Sequence, residues 1–474
     1  MAKAQIDPGM TIDGFRLEER LHRGGMASIW RVTRDDIDFP IIMKMPFLDY
    51  EGDLSLLVGF EVEQMIMAEL KGLHVPRLVA NGDFTVQPFI VMEYLPGPSL
   101  SKLMSGGKLG AGEATRIGIA IADALGDLHQ QHVLHLDLKP ANVLFRETGE
   151  AVLIDFGLSR HDQLPDLMAE EFRLPYGTAP YMAPEQVFGI RSDPRSDLFA
   201  LGSLLYFFAT GVRPFGDPQS LSGLKRRVWW DPAPPRKLKA DIPPFLQEII
   251  LRCLAPDPEV RHPTAAQLAF DLGHPDQVQL TPRAQKLARD KWSDRVRRRF
   301  HPDAYRPTLH RERMLSARLD TAPIIAVAID LSEGEPELAD AVRATVKRIL
   351  ATIPDARLAC LNVLRTNRIA IDETLDKDGH NKHVQRLVQL KHWARELELP
   401  SERTSFHVLE SVDAGSAILD YVTVNAVDHI VMGARTHSIM RNILGSVSAE
   451  VVQKAPCTVT VVRKPRAVAN AAAA

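Results

Sequence analysis

From Pro323 to Lys464, apolar runs of strand length alternate with amphipathic runs of helix length, and no other feature limits the possible folds as much. IIAVAID reads as a buried strand, ELADAVRATVKRILATI as a helix, ARLACLNVL as a strand and HVQRLVQLKHWARELEL as a helix. FHVLE, AGSAILDYVTVNAV, HIVMGA, the helix around ILGSVSAEVVQKA and the strand CTVTVVRK continue the series. Strands that alternate with helices return by crossover and run parallel, so this region is expected to form a doubly wound α/β domain of its own. No period of about 20 to 50 residues repeats, which excludes a solenoid.

The first half follows a different pattern. From Gly14 to about Tyr50 the residues alternate (FRLEERL, SIWRVTR, FPIIMKM), with Gly24–Gly25 and Asp35–Asp36 as turn signals, so antiparallel strands are expected. Between Leu54 and Leu73 the apolar spacing becomes helical, and two short strands follow, around 77–84 and 88–94. RIGIAIADALGDLHQQ then opens a helical, proline-punctuated region reaching about residue 274. A small β-rich lobe followed by a larger helical lobe is a bilobal α+β arrangement whose site lies in the cleft between the lobes.

Composition adds limits. A chain of 474 residues is long enough for two or three domains. Its net charge of −3, with 45% hydrophobic and 25% charged residues, excludes a polyanion binder by overall charge. Cys253, Cys360 and Cys457 are far apart and form no CxxC, which argues against a disulfide framework or a zinc site and for a reducing, cytoplasmic location. MAKAQIDPGM has no apolar leader core, and LFALGSLLYFFATGV at 198–212 is too short and interrupted to span a bilayer, so no membrane partner is expected. Residues 276–318 are rich in Arg and Lys. A nucleic-acid or acidic-lipid contact there stands open beside the plainer reading, a solvated basic linker; the linker is the expectation, and nucleic acid is not an expected partner.

Phosphoryl transfer needs a phosphate cradle, a cation, a metal site and a carboxylate to orient the attacking hydroxyl. LHRGGMASIWRV at 21–32 offers Gly24 and Gly25 between two strands; Lys44 lies on the strand IIMK and Glu63 on the next helix. A buried ammonium is costly without a partner, and Glu63 is the natural one for Lys44. HLDLKPAN at 135–142 followed by DFG at 155–157 gives a base and two metal ligands within one cleft. In these motifs residues 14–272 resemble the eukaryotic-type Ser/Thr protein kinases. The resemblance implies ATP and Mg²⁺ as cofactors and protein Ser/Thr hydroxyls as substrates. It makes Asp137 the catalytic carboxylate, Lys139 the cation on the transferring phosphate, and Asn142 and Asp155 the Mg²⁺ ligands. Lys44 would hold the α and β phosphates, Met92 is the gatekeeper, and backbone groups of Glu93 and Leu95 would meet adenine. Thr178 in GTAPYMAPE, together with Lys139, marks a Ser/Thr rather than a Tyr kinase; Glu185 is expected to pair with Arg261, and Asp197 to brace the catalytic loop. The departures are His22 and Ala27 in place of the outer glycines of the loop, and Ile42 where alanine usually lies over adenine.

Leu136 is the largest departure, because kinases switched by loop phosphorylation carry an arginine there to pair with the phosphate. Between Gly157 and Gly177 the only hydroxyl residues are Ser159 and Tyr176, whereas Asp162, Asp166, Glu170 and Glu171 already supply negative charge. Both halves of a phosphate switch are missing, so activity without loop phosphorylation is expected. The alternatives are a degenerate pseudokinase serving as a nucleotide-sensing scaffold, and a small-molecule kinase, against which the APE motif and Thr178 argue.

In a doubly wound sheet, ligands bind at the carboxyl ends of strands beside helix N-termini. Asp330 ends IAVAID, Gly433 lies at the end of HIVMGA, and Gly445 and Ser446 begin the next helix. Residues 322–465 thereby resemble the universal stress protein family, whose nucleotide-binding members cradle phosphates with such glycines; Thr436 stands where a second glycine is expected. The resemblance implies a possible second nucleotide at Asp330, Gly433, Gly445 and Ser446, and a homodimer through the apolar edge strand CTVTVVRK. The expected organisation is an N-terminal extension at 1–13, a bacterial kinase domain at 14–272, a linker at 273–321, a stress-protein domain at 322–465 that regulates the kinase, and a tail at 466–474.

Overall fold

The computed structural model describes residues 6–24, 27–47, 55–84, 86–105, 110–172, 175–289, 323–331, 336–365, 381–400, 403–434 and 445–464. They fall into two compact units, whose main segments are 54–82 and 89–319 with 1–46 in the first and 320–474 in the second.

In the first unit, β1 (Thr11–Ile12), β2 (Phe15–Arg23), β3 (Ala27–Thr33), β4 (Ile41–Pro46), β5 (Leu78–Asn81) and β6 (Ile90–Glu93) form an antiparallel sheet in the order β1-β2-β3-β4-β6-β5. The alternation read from the sequence puts Phe15, Leu17, Trp30, Val32, Ile41, Met43, Met45, Phe89 and Val91 into one core. The sheet starts with β1, before Gly14, because Thr11 and Ile12 pair back onto Arg16 and Phe15. Helix α1 (Ser55–Glu69) crosses behind this sheet, ending earlier than the apolar spacing suggested. It is buried along most of its length, Gly59 and Glu63 included, because it is enclosed by more than one neighbour.

Helices follow: α2 (Leu100–Ser105), α3 (Ala111–Gln130), then, after the short strands β7 (Val133–Leu134), β8 (Val143–Phe145), β9 (Ala151–Leu153) and β10 (Arg160–His161), α4 (Leu167–Glu171), α5 (Pro184–Val187), α6 (Arg195–Thr210), α7 (Leu221–Lys225), α8 (Pro235–Leu238), α9 (Pro244–Cys253) and α10 (Ala265–Gly273). Helix α3 has a clean apolar stripe, with Ile117, Ile121, Leu125 and Leu128 all buried. The apolar run at 198–212 forms most of α6, which is buried nearly all round and ends at Gly211 in the left-handed region. The two hairpin-like pairs, β8 with β9 and β7 with β10, suspend the polar loops that the motifs occupy. Among the described residues no helix is long and apolar enough to cross a membrane.

The second unit is a five-stranded parallel sheet in the order β13-β12-β11-β14-β15, built from β11 (Ile324–Ala328), β12 (Arg357–Arg365), β13 (Thr404–Ser411), β14 (His429–Ala434) and β15 (Thr458–Arg463). The intervening helices are α11 (Pro336–Thr352), α12 (Lys382–Ala394), α13 (Ala414–Val424) and α14 (Ser446–Lys454). The chain runs outward from β11 to β12 and β13, then returns to the other side of β11 for β14 and β15. That reversal opens a crevice at the strand ends, where a doubly wound fold binds its ligand. β15 is one edge of the sheet, and among the described residues it pairs with β14 alone.

Candidate active site

The first cluster of charge forms around Lys44. β4 presents its ammonium to Glu63 Oε2 of α1 at 2.5 Å and to Asp155 Oδ1 at 3.2 Å. Burial alone would weaken the ammonium, but the charges of Glu63 and Asp155 outweigh it and hold Lys44 above the usual lysine range. Lys44 in turn holds Asp155 below the usual carboxylate range, so Asp155 is an anion beside the ammonium. The approach of α1 depends on two glycines: a Cβ on Gly59 would stand 3.1 Å from the Gly157 carbonyl oxygen, and one on Gly157 would stand 3.0 Å from that of Gly59. One turn of α1 thus rests directly on the Asp-Phe-Gly turn, and Glu63 follows one helical turn later.

A second cluster converges on Asp137. Lys139 Nζ donates to Oδ2 at 2.6 Å, while the backbone N–H and hydroxyl of Thr178 donate to Oδ1 at 2.8 and 2.7 Å. Asn142 spends its side-chain N–H on the Asp137 carbonyl at 3.1 Å and on Oδ2 at 3.3 Å. Its amide oxygen is left over as a neutral donor for a hard cation. The Asn142 main-chain carbonyl accepts from the Ile154 N–H at 3.0 Å, which ties this loop to the residue just before Asp155. Asp155 has φ 68°, a left-handed conformation that Asp tolerates.

Leu136 also lies in the left-handed region, at φ 59°, where a bulky side chain costs about 1–2 kcal/mol. Its backbone is held there from both sides: the N–H donates to Asp197 Oδ1 at 2.8 Å and the carbonyl accepts from Gln186 Nε2 at 2.8 Å. Asp197 takes a second backbone bond from His135 at 2.9 Å and lies 2.9 Å from His129 Nε2. The Leu136 side chain is 4% exposed, an apolar plug in the core. Ser159, immediately after the Asp-Phe-Gly turn, is buried and donates its hydroxyl to the His135 carbonyl at 2.9 Å.

The expected adenine contacts sit at the end of β6. Met92 is buried opposite Ile42. The Glu93 N–H is already bonded to the Arg77 carbonyl at 2.9 Å and its carboxylate to Arg146 at 2.7 Å, so the Glu93 carbonyl is what it can offer a base. Leu95 follows on the next turn. Gly24 closes the β2–β3 turn by donating to the Ala27 carbonyl at 3.0 Å; Gly25 lies outside the described residues.

Below the cleft, Glu185 and Arg261 form a fully buried bidentate pair at 2.6 and 2.8 Å, with Ser196 and the carbonyls of Ala255, Pro256 and Arg195 satisfying the remaining valences. Arg227 was not singled out from the sequence. It is buried and donates to the carbonyls of Ala179 and Met182, bracing the loop that carries Thr178. Burial lowers its pKa to about 10, which leaves it charged at neutral pH. Nothing in its neighbourhood in the sequence marks it, because the carbonyls it braces lie 45 and 48 residues away, and its local bond to the Leu224 carbonyl carries no signature.

In the second unit, Asp330, Gly433, Gly445 and Ser446 line one cavity of about 580 Å³. Asn362, Arg365 and Arg386 line it too and were missed, since each comes from the middle or end of an element with no motif around it. Asn362 is 5% exposed; its amide donates to the Ile329 carbonyl at 2.8 Å, and its buried Oδ1 has no hydrogen-bond partner among the described residues. Such an acceptor is costly unless a ligand or water donates to it. Thr436 lies outside the described residues.

Comparison with known proteins accords with this division. Residues 15–271 match the model of the protein kinase domain, and residues 323–463 that of the universal stress protein family. The chain is 30% identical over 270 residues to a probable serine/threonine-protein kinase PknB of Corynebacterium glutamicum, covering 55% of this chain and 42% of that protein. It is 30% identical over 265 residues to the serine/threonine-protein kinase PknB of Mycolicibacterium smegmatis, again covering 55% and 42%. The chain thus spans less than half the length of these curated relatives. The crystal structure of the Mycobacterium tuberculosis PknI kinase domain aligns with a TM-score of 0.45 at 23% identity, over 57% of this chain and 99% of that one.

Proposed function

Because the chain belongs to the protein kinase family through residues 15–271 and carries a universal stress protein segment at 323–463, we propose that it transfers the γ-phosphoryl group of ATP to protein Ser/Thr hydroxyls, without needing a phosphate on its own activation segment. The observation that carries this reading is the double convergence of charge: Lys44 on Glu63 and Asp155, and Lys139 with Thr178 on Asp137. All the charged groups the chemistry needs are present and mutually oriented. ATP would supply the phosphoryl group, and Mg²⁺, when bound, would offset the charge on it. Asn142 and Asp155 are the residues that would hold the cation; a carboxylate kept ionised and an amide oxygen are the donor types Mg²⁺ takes.

In this reading Asp137 accepts or orients the proton of the incoming hydroxyl as its oxygen bonds to the γ-phosphorus and the bond from that phosphorus to the β,γ-bridging oxygen breaks, with ADP leaving, and Lys139 offsets charge on the transferring group. Thr178 presents the substrate residue beside Asp137. The relatives named as Ser/Thr kinases support a protein hydroxyl as acceptor. We set the kinase domain at 14–272, the basic linker at 273–321 and the stress-protein domain at 322–465. The free cysteines support a reducing, cytoplasmic location.

The C-terminal cavity has the size and lining for a second nucleotide, with Asp330 and Asn362 as acceptors and Gly445–Ser446 at the start of α14 as a phosphate seat. Occupancy of that cavity is the proposed signal to the kinase, and pairing through the β15 edge the proposed route to a homodimer. Light scattering at micromolar concentration checks the dimer: a monomer mass would remove it. The test of the enzyme is phosphate transfer from labelled ATP and Mg²⁺ to a generic basic substrate, with Asp137→Asn as the control. Transfer lost in the variant supports the proposal; ATP binding with no transfer by the wild-type chain would favour a nucleotide-sensing scaffold.

A further inference from the structure

We propose that the ion pair between Asp166 and Arg191 is a permanent lock on the activation segment, doing with a carboxylate what a loop phosphate does in a switched enzyme. This rests on the proposed kinase activity and names how its active arrangement is held. Arg191 lies in the stretch between α5 and α6. Its Nε donates to both carboxylate oxygens of Asp166, at 3.1 and 3.0 Å, and its Nη2 donates to the carbonyls of Leu158 at 3.0 Å and Ser159 at 3.2 Å. One rigid guanidinium therefore ties the two residues after the Asp-Phe-Gly turn to a residue seven positions further on. A second arginine, Arg160, stands 3.9 Å from Asp166.

Asp166 and Arg191 are both mostly enclosed, with side chains 17% and 11% exposed, so solvent screens this pair less than a surface one. Asp166 also caps α4, accepting from the Ala169 N–H at 3.3 Å. Helix α4 and the segment before it face α1: Leu164, Pro165 and Leu167 share a small crevice with Val62 and Ile66. Glu63 stands between those two positions on α1 and reaches Lys44. The path is continuous: Arg191 fixes Asp166, Asp166 fixes α4, and α4 backs the helix that carries Glu63. Two arginines around one anion is the arrangement a phosphorylated loop creates. Here the anion is encoded, the hydroxyl at Ser159 is buried and hydrogen-bonded, and position 136 carries no charge. Asp166 and Arg191 are positioning residues; neither touches the reacting atoms.

The test uses the full chain and five forms: wild type, Asp166→Asn, Arg191→Gln, the double variant carrying both substitutions, and Asp166→Glu. Two readouts run side by side, steady-state transfer from Mg–ATP to a generic basic substrate, and hydrogen exchange of the amides at 158–172. Each single variant is expected to lower kcat by about tenfold, with a smaller change in KM for ATP, and to raise exchange across the segment by a similar factor, the loss of one charge-assisted contact. The double variant should be hardly worse than either single one, which independent destabilisation would not give, and Asp166→Glu should keep most of the rate. Wild-type rates and exchange in the single variants, or a double variant as impaired as the sum of the singles, would overturn the lock. If the wild-type chain transfers no phosphate, the kinase reading fails on its own, and hydrogen exchange still decides whether Asp166 and Arg191 hold the segment.

Discussion

The two candidate sites of this chain are built on opposite plans. Around Asp137 and Asp155 the functional groups already satisfy one another: Lys44 with Glu63 and Asp155, Lys139 and Thr178 with Asp137, Asp197 with the backbone of His135 and Leu136. In the C-terminal cavity apolar walls and glycines alternate with polar groups, and among the described residues none donates to the key acceptor, Asn362 Oδ1. A site that moves charge is preorganised by internal partners, so that dipoles need not be reoriented during the reaction. A site that only binds can leave polar groups waiting for the ligand. Substitutions in the first should therefore act on rate or stability, and in the second on affinity alone.

The largest effect expected is that of Asp155→Asn. Asparagine keeps the left-handed backbone at this position but removes the anion, so transfer should fall about a thousandfold or more while the fold survives. The same variant carries a pH signature. The Asp155 carboxyl has its pKa lowered by Lys44, so its contribution to stability is complete above the ordinary value of 3.8 and is lost as pH falls through the lowered value. Urea unfolding of wild type should weaken more steeply below about pH 4 than that of Asp155→Asn; parallel curves would contradict the ion pair with Lys44.

Next in size is the buried pair below the cleft. Arg261→Met strands Glu185 without its partner and should cost about 3–5 kcal/mol in chemical denaturation. A loss under about 1 kcal/mol would mean that water reaches the pair.

Gly59→Ala separates activity from stability. Alanine favours a helix over glycine by about 1 kcal/mol, yet its Cβ would press on the Gly157 carbonyl oxygen, where backbone on both sides has little room to give. Transfer should fall about tenfold through a displaced Glu63, without a comparable fall in melting temperature. An unchanged rate would show that α1 can shift without consequence for Lys44.

The smallest effect is expected at Asn362→Leu. It removes the waiting acceptor and should weaken nucleotide binding in the C-terminal cavity by about fivefold, measured by calorimetry with the kinase cleft filled by an adenine-competitive inhibitor. Affinity equal to wild type would mean that Asn362 is satisfied by water, and the contrast between the two sites would lose its best observation.

How legible these sites were in the sequence follows from the same contrast. Asp137, Lys139 and Asn142 lie on one short loop, and Asp155 is separated from it only by β8 and β9, so spacing along the chain was enough to nominate them together. Lys44 and Glu63 needed only the strand and helix on either side of a loop. The alternation from Pro323 onward gave the parallel sheet, and with it the ends at Asp330 and Gly433. Asn362, Arg386 and Arg227 stayed invisible because their roles come from tertiary approach to backbone atoms or empty space, which no local pattern encodes. The Asp166–Arg191 pair was half visible: the acidity of the loop could be read, but its cation, 25 residues on, could not. Leu136 was legible as an anomaly and became understandable only once its left-handed backbone, its burial and its bonds to Asp197 and Gln186 were seen together.

The most direct measurement is phosphate transfer from labelled ATP and Mg²⁺ by freshly purified wild-type chain, with mass-spectrometric mapping of residues 158–177 in the same sample. The account predicts turnover on a generic Ser/Thr substrate while Ser159 and Tyr176 carry no phosphate. Turnover that appears only once a phosphate is found on that segment, or ATP binding with no turnover at all, would contradict it.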